Sequence, residues 1–148
     1  MNKNKMLPKI GSLIFLVGII IALLVGVYHA STLEAEINGD LDPKDETFFE
    51  TETGATVAWI LAIFGALVGI LAALGMGTIT AKETQGFLLA GIALVVMGGV
   101  FSTTITTYQL TPWLGSLLSG ISMSLSIFVA PTVGILAIKE IWDLGKDV

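Results

Sequence analysis

Cysteine is absent from this 148-residue chain, and so is arginine. Without a thiol there is no disulfide, no thiolate metal site, no haem attachment and no redox dithiol. All seven basic residues are lysine and the net charge is −5. Nucleic-acid binding needs a basic patch to release counterions, so no nucleic-acid partner is expected. Histidine occurs once, at His29, which excludes the paired axial ligands of a b-type haem, and no cofactor is expected. Charge is scarce altogether. Only 13% of residues are charged while 54% are hydrophobic, against about 25% charged in soluble domains. An ordinary water-soluble globule is excluded.

What is present is a set of long uncharged runs. From 10 to 33 the only ionisable side chains are Tyr28 and His29; from 53 to 81 there is no charge, and from 84 to 138 there is none over 55 residues. A spanning helix needs about 20 apolar residues, so the first two runs hold one span each and the third holds two. The third turns at Thr111-Pro112-Trp113, an N-cap threonine followed by proline at the first helical position. The expected spans are about 10–30, 54–78, 83–108 and 113–138. Backbone groups in lipid must be satisfied within the segment, and period-2 alternation is missing, so these are helices rather than barrel strands. The expected fold is an all-α integral membrane protein. It is one domain over 1–148, a four-transmembrane-helix up-down bundle with a short acidic extracellular loop, and the lipid bilayer is its first partner.

Lysine placement sets the orientation. With both termini inside, Lys3, Lys5, Lys9, Lys82, Lys139 and Lys146 are cytoplasmic and only Lys44 is outside, a strong positive-inside bias. The location expected is therefore the cell membrane, with cytoplasmic N- and C-termini. The first apolar run is longer than a signal peptide's 7–15 residues, and bulky Tyr28 occupies the nearest cleavage position, so it reads as a retained anchor.

The loop over about 31–52 carries eight acids against Lys44, a net −7. Leu33 to Leu41 reads either as a hairpin arm ending in Asn38-Gly39 or, preferably, as an extension of the first helix with Gly39 as its C-cap. Asp42-Pro43 predicts a short helix over about 43–52 with Phe48 and Phe49 near the membrane surface. Asn38, Asp40 and Asp42 have EF-hand-like spacing, but Pro43 replaces the required glycine and Phe49 the bidentate glutamate; a solvated acidic surface is the preferred reading. Asp40, Asp42, Asp45, Glu46, Phe48 and Phe49 form a candidate outer binding surface. Thr80-Ala-Lys-Glu83 matches a capping box that restarts the chain into the third span. Spans two, three and four are then expected to be successive antiparallel neighbours.

Small residues recur every four positions: Gly18, Ala22, Gly26 and Ala30; Gly65, Gly69, Ala73 and Gly77; Ser122, Ser126, Ala130 and Gly134. Residues four apart share a helix face, and small faces drive association in lipid by letting backbones approach. The expected pairing is mainly within the chain, with at least one face left for another subunit or a second copy. Hydroxyls gather late in span three and along span four. Thr107 is expected opposite Gly115, and Thr103 or Thr104 opposite Ser119. A pore or gate reading would use Thr103, Thr107, Ser119, Ser122 and the kink at Pro131; bonding of these hydroxyls to nearby carbonyls is the preferred alternative.

No Asp, Glu or Lys lies within a span, which removes the groups that proton relays, ion-coupled carriers and voltage sensors use. His29 reads as an interface histidine, and no nucleophile–base constellation is present. Three functions follow: a non-catalytic subunit of a membrane assembly, an oligomeric pore for water, small solutes or cations, and an adhesion protein binding through its acidic loop.

Overall fold

The computed structural model describes residues 7–40, 46–76, 83–108 and 112–146, with side chains for 12–40, 46–76, 83–101 and 113–146. Four helices account for nearly all of them: α1 (Leu7–Asn38), α2 (Glu52–Ala73), α3 (Thr84–Tyr108) and α4 (Pro112–Lys146). Each is long and apolar enough to cross a membrane, which marks the chain as a membrane protein.

Local chemistry explains the helix ends. At Gly39, φ is +75°; its N–H bonds to the Glu36 carbonyl at 3.1 Å and the Asp40 N–H to the Ala35 carbonyl at 2.9 Å. These are the two bonds of a Schellman C-cap. Residues 33–38 are thus helix, as preferred above, and the first helix runs past the expected end of its span, near 30, to Asn38. The same device ends α2: φ at Gly75 is +71°, with Gly75 N–H to Ala72 at 3.0 Å and Met76 N–H to Leu71 at 2.9 Å. The helix therefore stops before Gly77, which lies outside the described residues. The α3 helix starts at Thr84, later than a Thr80 cap implies; Thr80 itself falls outside the described residues. Pro112 is the first residue of α4, where its missing N–H is harmless.

Glycine contacts set the directions. On α1, Gly18 lies against the Phe128 ring and Gly26 against Ser124 and Gly120, so α1 and α4 are antiparallel. Gly65 meets Phe128 and Gly69 meets Thr132, so α2 runs parallel to α4. Gly91 meets Val133 and Gly98 meets Ser126 and Ser122, so α3 is antiparallel to α4. The chain runs up, down, up, down, and both ends of the described chain lie at one end of the molecule.

The packing departs from a ring of successive neighbours. The α4 helix contacts all three others, α1 touches α2 to a lesser degree, and among the described residues α2 and α3 share no substantial interface. The reason lies in α4 itself. Ser116, Gly120, Ser124, Phe128, Thr132 and Leu136 follow one another every four residues, and all are buried. Most of these side chains are short and admit neighbouring backbones from more than one side, while the single glycine face of α2 is already committed to α4. The core consists of Ala22, Leu61, Val68, Phe128 and Val129, with Phe15 bridging the Phe87 and Phe128 rings at centroid distances of 5.9 and 6.0 Å.

Candidate functional site

The first part of the site is the α4 seam. At its centre α2 and α4 clasp each other: a Cβ on Gly65 would collide with the Phe128 carbonyl, and the buried Thr132 hydroxyl donates back to the Gly65 carbonyl at 2.6 Å. One turn along, a Cβ on Gly69 would stand 2.9 Å from the Thr132 Cα. Ala73 is half-buried. Across α1, Gly18, Ala22, Gly26 and Ala30 are all buried, and a Cβ on Gly26 would lie 2.8 Å from the Gly120 carbonyl oxygen. The α3 helix contributes Gly91 and Gly98, which the four-residue pattern misses because they are two turns apart; a Cβ on Gly98 would lie 2.7 Å from Ser126 Oγ.

The third small-residue run is covered unevenly within the chain. Ser122 is buried and Ser126 half-buried, but Ala130 and Gly134 are exposed, and a Cβ on Gly134 would meet nothing within 4 Å. The run begins against α3 and then leaves it.

Hydroxyls in the seam are engaged with carbonyls. Ser126 Oγ donates to Leu94 O on α3 at 2.9 Å and to Ser122 O at 2.6 Å. Ser124 Oγ donates to Gly120 O at 2.8 Å. Ser119 and Ser122 are buried and Pro131 half-buried within an unbroken α4. The α3–α4 register carries positions 103 and 107 to the level of Ser119 and Gly115; the side chains of Thr103 and Thr107 lie outside those described.

The second part is a cap at the loop end. Within the described part of the expected 43–52 helix, from 46 on, the structure has instead a single 3-10 turn, Phe48–Glu50, before α2. The Glu50 carboxylate accepts from both the N–H and the hydroxyl of Thr47 at 2.9 Å, which fixes the turn. Phe48 N–H donates to Thr32 Oγ1 on α1 at 3.2 Å. The Phe48 ring meets Tyr28 edge-on at 4.9 Å and the Phe49 ring lies 4.4 Å from His29. Phe48 and Phe49 are therefore packed on α1 and half-buried. Beneath them His29 is 2% exposed, and its Nδ1 has no hydrogen-bond partner among the described residues. Asp40 and Glu46 are exposed; Asp42 and Asp45 lie outside the described residues. No group of three or more metal-ligating side chains occurs among the described residues.

No family model, no curated protein and no solved structure matches this chain.

Proposed function

We propose that the chain is a non-catalytic tetraspan subunit of a membrane assembly, joined to other membrane subunits or to copies of itself. The observation that carries this reading is the uneven cover of α4. Neighbouring helices cover α4 over 119–129, where no residue is exposed, yet Ala130, Gly134 and Ile138 just beyond are exposed on one side. Exposed glycine costs a helix about 1 kcal/mol relative to alanine, and a Cβ at Gly134 would meet nothing within 4 Å among the described residues. A close-packed neighbouring helix would use it.

The lysine distribution supports a cell-membrane orientation with both termini in the cytoplasm and the acidic cap outside. The bonds of Ser124, Ser126 and Thr132 support a packing role for the span hydroxyls. Extraction from the native membrane in mild detergent, followed by light scattering with the detergent mass subtracted, tests the proposal. A protein mass well above that of one chain is expected, and a uniform single-chain mass would overturn it.

A further inference from the structure

We propose that His29 is a proton-operated latch: uptake of a proton by its buried imidazole releases the Phe48–Glu50 turn from α1. The latch operates in a lone chain as well as in an assembly. The turn is fastened to α1 at three points, and two of them lead to His29. The Phe49 ring lies against the imidazole, 4.4 Å between centroids. Phe48 N–H donates to Thr32 Oγ1 at 3.2 Å, and that hydroxyl donates in turn to the His29 carbonyl at 2.8 Å. The third point is the edge-on contact of Phe48 with Tyr28 at 4.9 Å.

With the turn in place, His29 is 2% exposed and its Nδ1 meets no partner among the described residues. A neutral imidazole tolerates this, because only one of its nitrogens donates. The imidazolium donates from both nitrogens and carries a full charge. Burying a charge without partners costs far more than burying an unpaired neutral atom. The closed turn and the charged ring therefore exclude each other.

No neighbouring group takes up that charge while the turn stays shut. Glu50 is the carboxylate that acts on the ring through space, yet the ion pair among the described residues is Lys139–Asp143, not His29–Glu50. Its Oε2 accepts from the N–H and the hydroxyl of Thr47, and swinging to the ring would pull on the bonds that fix the turn. On α1, Tyr28 is exposed beside His29, Glu36 stands two turns on along the same side, and Glu34 lies round the helix. The α2 helix begins with the exposed Glu52, and α4 has no ionisable side chain before Lys139. Opening the turn admits water to the ring and leaves it in the field of the loop's acids, which favour the cation. Proton uptake and opening are thus linked. Histidine is the side chain that ordinarily changes charge between about pH 5 and 8, and this chain has one. A ring freed into water takes its proton near the ordinary value of about 6.5. Above that the closed turn holds in full; below it, the open fraction rises about tenfold per pH unit for one linked proton.

Amide hydrogen exchange followed by NMR, corrected for the intrinsic effect of pH, reads the latch in the full chain in detergent. The reporter is the Phe48 N–H, whose bond to Thr32 ties the turn to α1. Its protection is expected to be level above about pH 7 and to fall about tenfold per unit below about 6.5. Amides of α2 from Leu61 to Val68 should keep their protection throughout. In His29→Leu and His29→Phe the protection of Phe48 should no longer depend on pH. In Glu50→Gln, whose amide oxygen still accepts from Thr47, the dependence should remain. A flat profile in the unaltered chain, or the same fall in either His29 variant, would overturn the latch. So would equal loss across α2, which would make His29 a support of the whole bundle.

Discussion

At Gly65 the α2 backbone lies against the Phe128 carbonyl with no room for a methyl group. Gly65→Ala must push α2 off α4, at a cost on the order of 1–3 kcal/mol for overpacking. Gly99→Ala, where a Cβ meets nothing within 4 Å, should be neutral or slightly stabilising in the same thermal unfolding assay in detergent. Equal effects would deny the clasp. Thr132→Val removes the bond to the Gly65 carbonyl and should cost about 0.6 kcal/mol, up to about 1.7, as for hydroxyl bonds between membrane helices. His29 has the opposite sign. Its buried Nδ1 has no partner among the described residues, and an unsatisfied buried polar atom costs about 1–3 kcal/mol. His29→Leu should therefore raise the unfolding temperature; a fall would show that Nδ1 is held by water or a ligand.

Among the elements, the cap is the piece most separable from the bundle. Its attachment to α1 is two aromatic contacts and one backbone bond to Thr32. Phe49→Ala should raise protease cleavage between 46 and 51 while leaving bundle unfolding nearly unchanged; simultaneous loss of the bundle would show that the cap is part of the core. Helix existence and relative direction were legible in the sequence because long charge-free runs have to cross and return and Pro112 fits a helix start, whereas Gly39 allowed either a hairpin or a C-cap and the structure takes the C-cap. The central ridge of α4 is less visible there. The conspicuous serine and glycine run, Ser122 to Gly134, sits two residues out of phase with the buried ridge, on nearly the opposite side of the helix. Phe128 hides the true ridge: a large ring interrupts a small-residue pattern, although here it fills the space beside Gly18 while its backbone lies against Gly65. The cap departs from its expected form for a related reason. Asp42-Pro43 signals a helix start, but Thr47 and Glu50 form their own capping pair, which begins a new turn at Phe48.

For the whole molecule, one helix is the hub and the connectivity is not the adjacency. The α2 and α3 helices are consecutive in sequence, yet both spend their small faces on α4. Pairwise contacts between helices are chosen by three-dimensional fit, which the period of one helix does not encode. The hub is also incompletely covered, and that carries the functional reading. Native mass spectrometry of the protein taken directly from its own membrane in mild detergent tests it most directly. The account predicts a defined assembly of fixed stoichiometry, in which each 15.6 kDa chain is accompanied by a second copy or by other membrane subunits. A spectrum showing only the lone chain with bound lipid would contradict it.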